Sequence, residues 1–352
     1  MVSSKKNSSQ ILVGIAGFGV VGKRRFNIIK SYSDFKIIAI SDLDQNNFKD
    51  LDDDILHFID YRDLILSSNC QIIFISLPNK YAADATKLAL REGKHVFCEK
   101  PPARYARELL SIRRIIKDKP LKLKYGFNHR YHSSVIKASE IIKTKKLGRI
   151  VSLRGVYGKS KIISFNQSDW RSKRSESGGG ILLDQGIHML DLMRFFVGEE
   201  FIKIFSIVKN SFWHHDVEDN AFALMETKSG IVAQIHSSAT QWKHKFNLEI
   251  LFEKGALVFG GILTDSKSYG EETLTIISSN PAIDEGIPEE LTYKYNKDVS
   301  WALEIDEFLN SVKNNKKILH GSIDEAILTM KLIEKIYTSD PKWKKVFYMD
   351  TA

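Results

Sequence analysis

The chain has 352 residues, enough for two cores, since single cores stop growing near about 250–300 residues. Its apolar and charged fractions, 43% and 27%, are those of an ordinary globular protein, and no window approaches the ~18 uninterrupted apolar residues of a membrane span. The formal charge of +9 is scattered among lysines that alternate with acids, which argues against a nucleic-acid footprint. Cys70 and Cys98 offer neither a metal spacing nor a disulfide framework, and with the polar start they predict a reduced, cytoplasmic protein.

Residues 11–125 alternate short apolar runs with helical periodicity, the pattern of a parallel α/β sheet. Strands are predicted at 11–16, 36–41, 71–77, 95–98 and 121–125. Between them Ala82, Ala85 and Ala89 recur at helical spacing before Gly93, and Tyr105, Leu109, Ile112 and Ile116 do so before Pro120. The acidic run 50–54 reads as a solvated loop or helix start. Gly17-Phe18-Gly19-Val20-Val21-Gly22 follows the first strand and opens a helix, the context a dinucleotide-binding G-x-G-x-x-G needs. Gly17 makes the turn, Gly19 lets pyrophosphate reach the backbone, and Gly22 allows close helix packing. Asp42, at the end of the second strand, is placed to accept from the ribose hydroxyls. With Asp44 nearby and no arginine over 41–46, NAD is favoured over NADP.

After about residue 128 the pattern changes. A helix over 133–146 precedes Gly148. Phe246, Leu248, Ile250 and Phe252 then alternate with polar residues as in a half-buried antiparallel strand. Runs at 221–227 and 231–237 flank Lys228-Ser229-Gly230 as a hairpin, and strands at 257–259 and 273–277 extend the meander. Residues 263–270 and 278–288 read as loops. Two helices close the chain, one carrying Ile305, Phe308 and Leu309, the other opened by a Ser322–Glu325 capping box. The expected fold is α/β: a doubly wound Rossmann domain over 1–126, then an α+β domain over 127–352 with an open, mainly antiparallel sheet.

The second domain carries Gly178-Gly179-Gly180 followed by Asp184 and His188. If 184–197 is helical, the carboxylate and imidazole share a face, while Leu183, Ile187 and Leu190 hold the helix to a core. A free imidazole titrates near ~6.5, so His188 suits proton transfer at neutral pH, with Asp184 to orient it or bind a hydroxyl. With Asp191 the pair also has zinc-ligand spacing, but a nearby lysine and the lack of a distant ligand argue against metal. The glycine triplet is either a flexible turn or a close backbone approach to substrate. Trp213-His214-His215-Asp216 reads as a loop or oligomer surface.

Several ordered motifs together resemble the glucose–fructose oxidoreductase, inositol dehydrogenase and rhizopine-catabolism (Gfo/Idh/MocA) family. They are Leu77-Pro78-Asn79, the run ending Cys98-Glu99-Lys100-Pro101, Gly126-Phe127-Asn128-His129-Arg130-Tyr131, Trp170-Arg171, and the stretch from Gly178 to Asp191. The resemblance implies that Lys100, Asp184 and His188 gather around nicotinamide and substrate. It adds Leu77, Pro78, Asn79, Glu99, Lys100 and Asn128 to the cofactor-binding set of Gly17, Phe18, Gly19, Val20, Val21, Gly22 and Asp42. Arg130, Tyr157, Trp170 and Arg171 join Lys100, Asp184 and His188 as substrate-lining residues. It also implies a homodimer or homotetramer through the C-terminal sheet. Where family members carry a histidine after Pro78-Asn79, this chain has Lys80-Tyr81. The implied activity is NAD(P)-dependent hydride transfer between the nicotinamide cofactor and a secondary hydroxyl of a sugar, cyclitol or nucleotide-linked sugar. The Arg171–Arg174 cluster leans toward an anionic substrate. The rivals are a non-catalytic NAD(P)- or sugar-sensing regulator of the same fold, and a reductase or lyase with tightly held cofactor.

Overall fold

The computed structural model describes residues 10–160, 169–264, 266–279 and 286–351. They form two compact units: Met1–Ala103, Arg107–Gly126 and Glu304–Ala326 in the first, and Arg104–Ala106, Phe127–Leu303 and Ile327–Ala352 in the second. The first unit therefore includes a segment from near the C-terminus.

The first unit runs β1 (Ile11–Ala16), α1 (Val20–Lys30), β2 (Phe35–Ser41), β3 (Leu56–Phe58), α2 (Tyr61–Ser67), β4 (Ile72–Ile75), α3 (Asn79–Arg91), β5 (His95–Cys98), α4 (Ala106–Ile116) and β6 (Leu123–Tyr125). The strands form one parallel sheet in the order β3-β2-β1-β4-β5-β6. The order reverses between β1 and β4, the switch point at which such sheets bind ligands. The residues over 50–54 form turns, and Asp52, Asp53 and Asp54 are exposed. Cys70 and Cys98 are buried and unbridged; burial pushes the Cys98 thiol up to about 12, so it packs rather than reacts.

The second unit carries α5 (Ser133–Thr144), β7 (Ile150–Gly158), α6 (Arg174–Ser177), α7 (Ile187–Val197), β8 (Phe201–Lys209), β9 (Asn220–Thr227), β10 (Val232–Ser238), β11 (Lys245–Phe252), β12 (Gly255–Gly260), β13 (Glu272–Ser278) and β14 (Glu289–Tyr295). They build an eight-stranded sheet ordered β14-β13-β12-β11-β7-β10-β9-β8, antiparallel except for β7 beside β10. The residues expected as loops over 263–270 and 278–288 carry no helix or strand beyond Ser278, and 265 and 280–285 lie outside the described residues, as do 1–9 of the polar start. One face of the sheet is apolar and exposed: Phe205 pairs with Leu224 and Ile207 with Phe222, all at least 41% exposed.

The chain closes with α8 (Ser300–Lys313), α9 (Ile323–Ser339) and α10 (Pro341–Thr351). The capping box forms: Ser322 N donates to Glu325 Oε2 at 3.0 Å and Glu325 N to Ser322 Oγ at 3.3 Å. The latter part of α8 belongs to the first unit because its side chains complete that core. Phe308 meets Phe74 and Phe97 edge-on, at 6.0 and 5.5 Å. Arg25, fully buried 4.3 Å from the Phe97 ring, donates to Glu99 at 2.6 Å and to Glu304 at 2.7 Å. The buried Lys124 ammonium reaches Glu307 and the His320 carbonyl. Stranding a buried charge of this kind costs about 3–5 kcal/mol. No helix among the described residues is long and apolar enough to cross a membrane.

Candidate active site

In the first unit the glycine turn has the geometry its sequence predicts. Gly17 has φ +89°, and a Cβ there would lie 2.6 Å from the Ser76 carbonyl oxygen. At Gly22 a Cβ would lie 2.0 Å from the Gly17 oxygen, so α1 can begin this close to the turn only with glycine. Gly19 is different, because nothing lies within 4 Å of its missing Cβ. It opens α1, whose N-terminus has no side-chain cap and no acid in its first turn. Open space over uncapped N–H groups fits a pyrophosphate. Asp42 Oδ2 accepts from Phe18 N at 2.7 Å, while Oδ1 accepts from Asp44 N at 2.9 Å and Asn47 Nδ2 at 3.1 Å. Three of its roughly four acceptor positions are thus taken, which fixes the carboxylate beside the turn and leaves it capacity for a ribose hydroxyl.

Val20 is exposed and Val21 half-buried at the start of α1. Leu77 and Pro78 are half-buried after β4, and Asn79 is buried at the first position of α3. Lys100 stands half-buried two residues past β5, before a cis bond to Pro101. Glu99 is the ion-pair partner of Arg25, so its side chain is engaged within the unit. Asn128 lies in the second unit, hydrogen-bonded there to Ser300 and His129.

In the second unit the helix bearing Asp184 and His188 is not uniform. Residues Leu182–Gly186 form a π-helical turn, and the regular helix starts only at Ile187. Such turns are frequent at functional sites, since the extra residue re-aims a side chain. Gly186 permits it: a Cβ there would lie 2.3 Å from Ser237 Oγ. The stripe Leu183, Ile187 and Leu190 is buried as expected. The triplet Gly178-Gly179-Gly180 is not a flexible turn, and its close approaches are to protein. Cβ atoms there would meet Arg104 backbone and Cβ, Tyr337 hydroxyl, and, at 2.1 Å, the Glu218 carbonyl oxygen. Glu218, 0% exposed, caps the helix start: its carboxylate accepts from Gly180 N at 2.7 Å, Leu182 N at 2.9 Å and Tyr337 Oη at 2.8 Å, and its carbonyl accepts from Ile181 N. Burial pushes this carboxyl up to about 7, against the lowering effect of those donors.

His188 is 3% exposed and stacks on His129, ring centroids 3.7 Å apart and 13° from parallel. His129 has both ring nitrogens engaged, Nδ1 with Asn128 Oδ1 at 3.2 Å and Nε2 with Tyr157 Oη at 3.0 Å. Asn128 Nδ2 donates to Ser300 Oγ at 3.2 Å and Ser300 Oγ to Asp298 Oδ1 at 2.7 Å, so Asn128 Oδ1 must accept and His129 carries its proton on Nδ1. With the proton on Nδ1, the Nε2 of a neutral His129 ring accepts from the Tyr157 hydroxyl. Burial and the Asp184 charge both push the Tyr157 hydroxyl up, which keeps it protonated. His129 stood in a quoted motif but had no role assigned from sequence.

Two further contacts fix this segment. Arg130 donates to both oxygens of Asp191 at 2.7 Å, both side chains being at most 3% exposed. Glu272 accepts from His132 Nδ1 at 2.7 Å and Ser134 N at 2.9 Å. Arg130 therefore straps residues 128–132 to α7 rather than lining the substrate space, and Asp191 is spent on it rather than on a metal. Among the described residues no group of three or more His, Cys, Asp or Glu could hold a metal ion. Asp184 sits between two cations, Lys159 Nζ at 3.1 Å and Arg171 Nε at 3.8 Å, and also accepts from Gln185 Nε2 at 3.1 Å. The Arg171 guanidinium lies 4.3 Å from the Trp170 ring. Trp213 is in a loop, its Nε1 donating to the Ala239 carbonyl.

The model of the oxidoreductase family with an NAD-binding Rossmann fold matches residues 11–127, and that of the GFO/IDH/MocA C-terminal domain matches residues 135–258. The uncharacterised oxidoreductase YrbE of Bacillus subtilis is 29% identical over 238 residues, 66% of this chain and 68% of its own. Levoglucosan dehydrogenase of Pseudarthrobacter phenanthrenivorans is 34% identical over 141 residues, 40% of this chain and 36% of its own. A solved levoglucosan dehydrogenase in complex with NADH shares the fold, with a TM-score of 0.81 at 20% identity over 95% of this chain and 98% of that one. With its turn, its parallel sheet and its mixed second sheet accounted for, the chain belongs to the Gfo/Idh/MocA family of oxidoreductases, and its N-terminal part is an NAD-binding Rossmann fold.

Proposed function

We propose that this protein is an NAD-dependent dehydrogenase acting on a ring secondary hydroxyl of a sugar, cyclitol or nucleotide-linked sugar. Residues 1–126 serve the cofactor, and 127–352 serve substrate and self-association. The observation that carries the reading is the buried His188, stacked on His129, one turn from an Asp184 held between two cations. NAD, when bound, supplies the hydride acceptor at its nicotinamide C4. His188 takes the hydroxyl proton as hydride leaves carbon, and the flat face of His129 steadies the ring in either charge state. Asp184 accepts a hydroxyl of the substrate and orients it. Lys100 donates to the oxygen being oxidised and stabilises negative charge developing there. Tyr157, a donor toward His129, fixes the tautomer beneath His188.

The dehydrogenase relatives and the glycine turn support the redox assignment, and the two buried cysteines suit a reducing cytoplasm. The apolar sheet face around Phe205 and Leu224 supports a homo-oligomer. The test is a panel of free, anhydro and nucleotide-linked sugars and cyclitols with NAD, read by absorbance of reduced cofactor. A His188→Ala variant is expected to keep NAD binding and lose about 10²–10⁴-fold in kcat. Full activity in that variant would remove the mechanism, and no turnover across the panel would remove the activity.

A further inference from the structure

The cations beside Asp184 exceed what the carboxylate needs. Lys159 is fixed at the end of β7, its N–H donating to the Ser238 carbonyl at 2.7 Å and its carbonyl accepting from Gln241 N at 2.9 Å. Its ammonium has three donors, and among the described residues Asp184 is its one hydrogen-bond partner. Arg171 makes no hydrogen bond among the described residues. Its guanidinium rests near the Trp170 ring and approaches Asp184 no nearer than 3.8 Å. Both side chains are mostly buried, Lys159 at 16% and Arg171 at 22% exposure. Among the described residues, two cations face one carboxylate, with donors to spare. Arg130 shows the contrast: its pair with Asp191 is bidentate and closed.

The surroundings extend the same sign. Tyr269 packs 5.2 Å from Tyr157 and 5.0 Å from His244, ring to ring. It also lines a cavity of about 440 Å³ with Trp242, Lys243, His244, Lys245 and Phe246, a set that contains no acid. We propose that Lys159 and Arg171 form an anion site beside Asp184, so that the substrate carries a carboxylate or phosphate close to the carbon that reacts. The proposal rests on the dehydrogenase reading for what the anion is attached to. A planar guanidinium offers a carboxylate or phosphate two parallel donors, while the ammonium adds a point charge. A neutral polyol would leave both groups short of acceptors.

The test is calorimetric titration of the full chain, saturated with NADH, with glucose, glucuronate and glucose 6-phosphate, alongside turnover of each with NAD. At least one anionic sugar is expected to bind ten times or more tighter than glucose. Glucuronate in the lead identifies a carboxylate on the ring, and glucose 6-phosphate a phosphate two bonds further out. Arg171→Met should weaken the anionic sugar by about 10–100-fold and leave glucose little changed, with Arg171→Lys retaining part of the preference. NADH binding by each variant shows that it is folded. Glucose binding as tightly as both anions, no binding of either anion, or an anion affinity unmoved in Arg171→Met overturns the site. Tight anion binding without turnover of these sugars supports the site and counts against the dehydrogenase reading for them. Turnover with no anion preference does the reverse.

Discussion

Two glycine clusters in this chain solve opposite problems. At Gly19 the missing side chain leaves empty space above uncapped N–H groups, whereas at Gly178, Gly179 and Gly180 the vacated volume is filled by Arg104, Tyr337 and Glu218. The first cluster is open to a ligand, and the second lets one part of the protein press against another. Both read alike in one dimension. What separates them is the identity of the atoms nearest the absent Cβ.

The sharpest way to break that contrast is Gly180→Ala. Its methyl group would meet the Glu218 backbone oxygen, which has no rotamer to escape into, so a stability loss above about 4 kcal/mol is expected in a denaturant melt. A mild effect would show the second cluster to be as open as the first. Glu218→Gln probes the same cap through pH. Burial raises the folded carboxyl from its ordinary 4.5 to about 7, so across that window the folded chain holds a proton that the unfolded chain has released. Folding stability contributed by this group therefore falls as pH rises from about 4.5 to 7, by about 3 kcal/mol in total. Melts of Glu218→Gln should lack that slope, and an unchanged slope would assign it to another group.

Gly19→Ala sharpens the comparison from the other side. No protein atom opposes the new methyl group, so the melt should be unchanged while NAD affinity by calorimetry falls about 10–100-fold, roughly 1.4–2.7 kcal/mol. The smallest effect is expected at Asp42. Asp42→Ala should narrow the preference for NAD over NADP by about 5–10-fold, near 1 kcal/mol, and equal affinities in the unmodified protein would refute the assignment.

The first unit was legible because its signals are local: β1, the glycine turn and α1 follow one another, and β5 and β1 fall where their apolar runs do. Strands β3 and β14 and helix α2 were missed, the first for its length of three residues and the second for its exposed, polar edge. β8 escaped for a different reason. Its Ile202, Phe205 and Ile207 are apolar on the solvent face, which erases the alternation that marks a half-buried strand. The pair Asp184 and His188 was legible, but the π-turn under it was not, since that depends on Gly186 lying against Ser237. The partners of the pair were hidden too. Glu218 caps a helix that begins 36 residues earlier, and Lys159 reaches Asp184 across 25 residues. His129 and Arg130 were in view as a motif, yet their division of labour, one ring stacked on His188 and one guanidinium locked on Asp191, exists only in three dimensions.

The return of Glu304–Ala326 to the first unit governs the order in which the protein can be completed during synthesis. Glu304 follows Arg25 by 279 residues and Glu307 follows Lys124 by 183, yet with Phe308 they cover Phe74 and Phe97 and complete the ion pairs of Arg25 and Lys124. Until they arrive, the N-terminal half lacks the cover of Phe308 on its rings, Arg25 has only Glu99, and Lys124 is without Glu307. A fragment stopped at residue 126 would lack those partners for good.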